Sequence, residues 1–245
     1  MLLLIGGISP NPGPPVRPPP PVGIVGWNCN GIKNSATELR SFLSTNNVKV
    51  ACVQETKLTP SSKTPSFHDY QTIRRDRPAG GGGGLLTLIH HSISYVEIPS
   101  PITDAFTEST IVKVNFNNTE LVIANVYVPP QSSCAANFAA SIDALLVDDT
   151  IIVGDINAHN DLWSAGAGDP RGEAIADEVE DKNYVVINNP DVFTRPSSSS
   201  SPDVVFAPPA VALSLAWNVA STLNSDHFPM RLSSLSYSPF LHQFS

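Results

Sequence analysis

The sequence predicts an α/β protein whose strands end in polar clusters, and three observations lead there. The chain opens β-α-β: a strand at 22–27, an amphipathic helix at 35–46 and a strand at 48–53. That order implies a right-handed crossover and two neighbouring parallel strands. Apolar runs of strand length, rich in Val and Ile, then recur with short polar breaks between them. Finally, several runs stop at carboxylates, amides, phenols or imidazoles. Ile151-Ile152-Val153-Gly154, for example, delivers Asp155, Asn157 and His159 at alternate positions. Open α/β sheets bind ligands where strands finish, so such side chains are placed to converge. The same stretch also fits a plain strand-to-turn junction in which Gly, Asp and Asn satisfy local backbone groups.

Residues 8–21 contain eight prolines and predict an extended arm of polyproline type. The first strand delivers Asn28-Cys29-Asn30-Gly31. Ser35-Ala36-Thr37-Glu38 matches a capping box, and Ala36, Leu39 and Leu43 follow at helical spacing. The next strand delivers Gln54-Glu55-Thr56, so Asn28, Asn30 and Glu55 should emerge at one edge. Residues 57–80 form a polar loop carrying Arg74, Arg75 and Arg77. The glycines Gly80 to Gly84 run into Leu85-Leu86, not Lys-Ser or Lys-Thr, which excludes a phosphate-binding P-loop and leaves a turn.

Strands are expected at 85–89, 93–98, 109–116 and 120–128, with Asn117-Asn118 as a hairpin turn and Tyr127-Val128-Pro129-Pro130 at the last strand's end. A helix follows at 135–147. Asp169-Pro170 opens another at 170–182, with Ile175, Ala176 and Val179 inward. A short strand at 184–187, a serine loop, Pro202-Asp203, and strands at 213–219 and 228–232 flanking Asn224-Ser225-Asp226-His227 complete one domain. Its boundaries are 22–233, between the leader at 1–21 and an unpatterned tail at 234–245.

The totals exclude some functions. A formal net charge of −8 means that nucleic acid, if bound, is held locally and not by bulk charge. Three cysteines, Cys29, Cys52 and Cys134, lack the spacing of a zinc site or a disulfide framework and fit a reducing compartment. No apolar run reaches the ~18 residues of a membrane helix, and Met1–Ile5 is shorter than a signal core of roughly 7–15 residues. The expectation is an intracellular, unsecreted, monomeric protein with no membrane partner.

Collected, the strand-end groups are Asn28, Asn30, Glu55, Tyr127, Asp155, Asn157, Asp203, Asp226 and His227. The set suits phosphodiester hydrolysis. A hard cation such as Mg²⁺, or Mn²⁺ in its place, takes one or two carboxylates and keeps waters, and Glu55 leads as ligand. Asp155 can serve as base. Asn157, Tyr127 and His227 can meet developing charge, with Asp203 or Asp226 orienting His227. No Gly-x-Ser-x-Gly elbow supports a serine nucleophile. Arg74, Arg75 and Arg77 are either a wet loop or phosphate contacts.

Trp27-Asn28-Cys29-Asn30-Gly31, Gln54-Glu55-Thr56, Tyr127-Val128-Pro129-Pro130, Gly154-Asp155-Ile156-Asn157-Ala158-His159, Pro202-Asp203 and Ser225-Asp226-His227 resemble, in order, the signature of the endonuclease/exonuclease/phosphatase superfamily. The chain is most similar to the apurinic/apyrimidinic-like endonuclease domain of LINE-type (non-LTR) retrotransposons. Asn157-Ala158-His159, Trp163, Arg171-Gly172 and Thr194-Arg195-Pro196 point to that branch. The resemblance implies a DNase I-like four-layer α/β sandwich, two packed, mainly antiparallel sheets flanked by helices. It implies that Glu55 binds Mg²⁺ with Asn30, with Asp226 near the metal, and that Asn28 orients Asp155 as water activator. Asn157 would meet the phosphate beside Tyr127, and His227, paired with Asp203, would stabilise the pentacovalent state. Arg74, Arg75, Arg77 and Thr194 are the expected substrate-side residues.

Repair enzymes of the superfamily carry Asp where Asn30 stands, which favours nicking over abasic-site repair. Asn11-Pro12-Gly13-Pro14 resembles a degenerate ribosome-skipping peptide of ingi-type elements, without its upstream acidic residue; a simple Pro-rich leader is the competing reading. The implied activity is Mg²⁺-dependent nicking of double-stranded DNA in the nucleus, for target-primed reverse transcription by a polymerase domain of the same element. A phosphatase acting on a small or lipid phosphate, and an inactive remnant or DNA-binding module, remain open alternatives.

Overall fold

The computed structural model describes residues 23–77, 82–116, 119–130, 138–147, 149–166, 168–220 and 223–234. The leader, the tail beyond Ser234, Asn117-Asn118 and Cys134 lie outside these residues. Twelve strands are present among them: Ile24–Asn28 (β1), Val50–Gln54 (β2), Tyr70–Arg75 (β3), Leu85–His90 (β4), Ser94–Ile98 (β5), Glu108–Phe116 (β6), Thr119–Tyr127 (β7), Thr150–Asp155 (β8), Val185–Val186 (β9), Asp203–Ala207 (β10), Leu215–Val219 (β11) and Met230–Ser234 (β12). The helices are Ile32–Thr45 (α1), Phe138–Asp143 (α2), Pro170–Asp181 (α3) and Pro209–Ala212 (α4).

The strands form two six-stranded sheets, ordered β11-β12-β1-β2-β4-β3 and β5-β6-β7-β8-β10-β9. Each contains one parallel pair, β1 with β2 and β7 with β8, and the other pairings are antiparallel. Three apolar layers give the predicted four-layer sandwich. Ile24, Val50, Cys52 and Ile89 of the first sheet meet Val112, Ile123, Ile151, Val153 and Val205 of the second. Helix α1 covers the outer face of the first sheet through Leu39 and Leu43 against Val25, Trp27, Ala51 and Val53. Trp163 and Ile175 cover Ala124, Val126, Ile152 and Phe206 of the second. Removing a side chain such as Leu43 or Ile152 from water contributes ~1.5–3 kcal/mol.

Strand side chains alternate, so the residues two and four along from a sheet-facing core residue also face the other sheet. Following Ile24 to Asn28, Cys52 to Gln54, Ile123 to Tyr127, Ile151 to Asp155, and Val205 back to Asp203, the apolar layer turns polar at one end of the sandwich. The C-terminal ends of both parallel pairs lie there. At that end the inter-sheet space holds a fully buried amide pair, Gln54 Nε2 donating to Asn125 Oδ1 at 2.7 Å. Asn125 Nδ2 in turn donates to Leu86 O and Thr87 Oγ1, both at 3.1 Å.

Several local expectations are corrected. The capping box at Ser35 does not form: α1 starts at Ile32, and Ser35 is buried within it. The reason is tertiary. Gly31 N donates to Glu55 O at 2.8 Å and Ile32 N to Thr56 O at 3.1 Å, so the neighbouring loop satisfies amides that a cap would otherwise serve. Glu38 instead accepts from Asn224 N. The region 57–80 is not all loop, because β3 pairs with β4 as an edge strand. Only Ile73 of β3 is buried, and so little alternation is left to read. A 3-10 turn at Pro196–Ser198 enters the serine run, and α4 adds a short helix where none was expected. In contrast, α3 has the predicted cap: Asp169 accepts from Gly172 N, with Pro170 in the first turn.

Candidate active site

At the polar end, Asn28, Asp155, Asp203 and His227 are almost entirely buried, while Glu55, Asn157 and Asp226 are half-buried and Asn30 is exposed. Register brings the carboxylates together, since Asp155 of β8 is opposite both Tyr127 of β7 and Asp203 of β10. Gly154 makes the approach possible. A Cβ there would lie 1.9 Å from the Val126 carbonyl oxygen. Just past their strands, Asn30, Glu55 and Asn157 all adopt left-handed backbone, with φ of 46°, 48° and 46°. Asn tolerates this conformation, but for Glu55 it costs on the order of 1–3 kcal/mol, which surrounding bonds must offset.

Two hydrogen-bonded groups meet. In the first, Asn28 Nδ2 donates to Asp155 Oδ2 at 2.7 Å and to Glu55 Oε1 at 3.0 Å, and Tyr127 OH donates to the same Glu55 oxygen at 2.9 Å. In the second, His227 Nδ1 donates to Asp203 Oδ2 at 2.8 Å, and Thr194 Oγ1 donates to that oxygen at 2.6 Å. Trp27 Nε1 on His227 O, at 3.0 Å, and Ser225 Oγ on Asn28 O, at 2.8 Å, tie the histidine loop to β1. With Nδ1 on Asp203, His227 directs Nε2 away from Asp203 and 4.0 Å from Asp226 Oδ2.

Burial, and then the negative charge of Asp203, raises Asp155 from the usual carboxylate range to about 8. Burial alone would lower His227, but Asp203, Asp155 and Asp226 outweigh it and raise the imidazole to about 9. The two shifts belong to one coupled group. Burial also tends to raise Asp226, yet His227, Asn30 and Arg195 hold it below the usual range. Burial and the adjacent Glu55 push the Tyr127 phenol upward, so its proton stays on oxygen to donate.

Asp155, Asp203 and His227 present ligand atoms within 4.8 Å of one another, a grouping that could hold a metal ion. Their atoms are already engaged, however, by Asn28, Thr194 and each other. A second place with ligand chemistry lies beside Glu55 and Asn30. Glu55 Oε2 lies 3.3 Å from Lys57 Nζ, and Asn30 Oδ1 is in short contact with the same ammonium. Two hard oxygens thus already converge on a positive charge, the donor chemistry that a divalent cation requires. Asp226 borders this position through Asn30 Nδ2, at 3.0 Å.

The residues expected on the substrate side are placed differently. Thr194 is fully buried and supports Asp203, which leaves it no surface for substrate. Arg74 is bound to Asp76, Thr64 and loop carbonyls, Arg75 to Ser109 O, and Arg77 to Glu108. All three guanidiniums therefore serve the protein's own loops and edges. The Asn157 side chain donates to Val128 O at 2.9 Å, and its backbone N to Asp155 Oδ1 at 3.0 Å. Sequence reasoning missed Lys57, Glu108, Asn125 and the Arg195–Asp226 pair at 2.9 Å. Lys57 directly follows Glu55-Thr56, and Asn125 stands two residues before Tyr127, so position alone marked both.

A buried carboxylate steadied by an amide, a carboxylate-paired histidine and a neighbouring acidic cluster at the strand ends of a two-sheet sandwich are the groups that a phosphodiester hydrolase uses. Residues 121–231 match the family described as endonuclease–reverse transcriptase. Over that stretch, a little under half of the chain, the sequence is similar to endonuclease domains linked to reverse transcriptases. A probable RNA-directed DNA polymerase from transposon X-element of Drosophila melanogaster is 24% identical over 216 residues, 86% of this chain and 24% of that protein. The chain thus spans about a quarter of the length of that relative. Among solved structures, the endonuclease domain of TRAS1, a telomere-specific non-LTR retrotransposon, shares the fold with a TM-score of 0.74 and 19% identity, over 89% of this chain and 99% of that one. The AP endonuclease LMAP from Leishmania major gives 0.64 and 17%, over 88% of each chain. Among the described residues, no helix is long and apolar enough to cross a membrane.

Proposed function

We propose that the domain nicks one strand of double-stranded DNA by in-line attack of water on a phosphodiester, leaving a 3′-hydroxyl for a reverse transcriptase of the same element. The observation that carries this reading is the meeting of the Asn28–Asp155 and Asp203–His227 pairs beside Glu55. Asp155 Oδ2, steadied by Asn28, orients the attacking water and accepts its proton. Asp203 fixes the His227 tautomer, so that protonated Nε2 donates to a phosphoryl oxygen as charge develops. Asn157 needs only to release Val128 O to meet the phosphate. Glu55 and Asn30 would hold Mg²⁺ or Mn²⁺, with Asp226 alongside. The cation supplies Lewis-acid neutralisation of the phosphate charge.

Local positive charge has to substitute for a basic surface, since the chain is acidic overall. The nucleus is the proposed location because its DNA is the proposed substrate. The test is conversion of supercoiled plasmid to open circle by the full chain, with Mg²⁺ and with EDTA, beside Asp155→Ala and His227→Ala. Mg²⁺-dependent nicking that both substitutions abolish supports the reading. Intact plasmid, with phosphate released from a phosphorylated small molecule or lipid, would replace it.

A further inference from the structure

Gly82, Gly83 and Gly84, together with Arg77 and Glu108, have no part in the reaction above, yet they support Glu55 from below. Glu108 opens β6 opposite Tyr127 and is 8% exposed. Its two carboxylate oxygens are divided. Oε2 accepts from Gly84 N at 2.7 Å, and Oε1 accepts from Arg77 Nε at 2.6 Å.

From each contact a route leads to Glu55. Gly82, Gly83 and Gly84 all adopt left-handed backbone, with φ of 78°, 68° and 86°, a run that side chains would strain. That conformation turns Gly84 O onto Thr56 N at 3.0 Å and Gly83 O onto Lys57 N at 2.9 Å. The two residues following Glu55 are thereby pinned, and Glu55's own left-handed φ is held from both sides, because Glu55 O accepts from Gly31 N. By the second route, the Arg77 guanidinium lies over the Tyr127 ring, 5.3 Å from its centroid, and Tyr127 OH donates to Glu55 Oε1. A Cβ on Gly83 would fall 2.4 Å from Glu108 Oε1 and 2.5 Å from Arg77 Cζ, so the two routes pack against each other.

We propose that Glu108 is a positioning residue for the cation site: through the glycine turn and through Arg77 and Tyr127 it sets both the backbone and the carboxylate of Glu55. The inference rests on Glu55 being a cation ligand. Partners of ligands that are lost in this way lower metal affinity by ~10–100-fold.

The experiment is calorimetric titration of the full chain with Mn²⁺ alone, for the wild type, Glu55→Gln, Glu108→Gln, Glu108→Ala, Tyr127→Phe and the Glu108→Ala/Tyr127→Phe double variant, each confirmed as folded by its melting transition. Glu108→Ala should bind Mn²⁺ roughly tenfold or more weakly. Glu108→Gln, which keeps one acceptor oxygen, should fall between it and the wild type. The double variant should lose less than the product of the two single losses, since both act on Glu55. In plasmid nicking, the Glu108 variants should require more Mg²⁺ for half-maximal rate and recover at saturating Mg²⁺, with KM for DNA unchanged. Should Glu108→Ala fail to fold, Glu108→Gln decides. Glu55-dependent Mn²⁺ binding that is unchanged in the Glu108 variants overturns the positioning role alone. Wild-type binding that is absent, or unaffected by Glu55→Gln, overturns the cation site and the positioning role with it.

Discussion

Asn28→Ala removes one small side chain and separates three functions of the centre. The amide nitrogen is 2.7 Å from Asp155 Oδ2 and 3.0 Å from Glu55 Oε1, and its carbonyl oxygen accepts from Asn30 N at 3.0 Å. Burial and Asp203 raise Asp155, and the Asn28 hydrogen bond is among the groups that hold it down. A hydrogen bond to a charged group is worth ~1.5–3 kcal/mol, and ~1.36 kcal/mol corresponds to a tenfold change in proton affinity. The pH at which Asp155 gives up its proton should therefore rise by roughly one to two on the pH scale. In a profile of plasmid-nicking kcat/KM at constant Mg²⁺, the acid limb should move upward toward the alkaline limb that His227 sets, so the profile narrows and its maximum falls.

Stability should follow with a defined sign. The folded Asp155 carboxyl is raised above its unfolded value, so its contribution to stability is present below the unfolded pKa and is lost as pH rises through about 8. Asn28→Ala exposes more of that loss. The melting temperature should fall by up to ~10 °C at pH 9, at roughly 2–4 °C per kcal/mol for this size, and by less at pH 5. An acid limb that does not move, with equal melting losses at both pH values, would refute the reasoning.

The other predictions are briefer. Asp203→Asn leaves His227 without its charged partner and should lower kcat by ~10³–10⁴ with little change in KM, as for an imidazole held in the wrong tautomer. Thr194→Val keeps shape but deletes the donor to Asp203, costing ~1 kcal/mol in stability without altering KM for DNA; a raised KM would restore Thr194 to the substrate side. Gly154→Ala would set a Cβ 1.9 Å from the Val126 carbonyl oxygen. The resulting overpacking should cost ~1–3 kcal/mol or more, read as a lower melting temperature or as insoluble protein. EDTA should abolish nicking and added Mg²⁺ restore it, whereas nicking that persists in EDTA would exclude a cation requirement.

Elements that bury a full face were the most legible, and one edge strand that does not was missed. Strands β1, β2 and β8 are buried along their whole length and stand out as β-branched runs. Helix α3 carries its own cap and apolar stripe, and matches its expected span within a residue. Edge strand β3 buries only Ile73, so its sequence is that of a polar loop. The start of α1 was misplaced because its first amides are satisfied by Glu55 O and Thr56 O, partners more than twenty positions away that no local motif encodes.

The site was legible for a different reason, which also explains what escaped. A strand that packs between two sheets repeats every second residue, so a polar side chain in phase with the core must face the opposing sheet. Asn28, Tyr127, Asp155 and Asp203 are in phase with Ile24, Ile123, Ile151 and Val205, and each is bound across the junction by partners from other strands or loops. Asn125 and Glu108 obey the same parity, in phase with Ile123 and Val112, and the structure buries both as support. Parity thus identifies which polar residues the fold draws inward, but not which of them meet substrate. That distinction depends on how far along the strand each one stands. Asn125 lies two residues inside the strand end and bonds only to protein, whereas Asp155, at the terminus, leads into the half-exposed Asn157. Thr194 and the three arginines come from loops and an edge strand, where neither parity nor depth is written in the chain, so polar character alone does not separate a strut, such as the buried Thr194 beneath Asp203, from a contact.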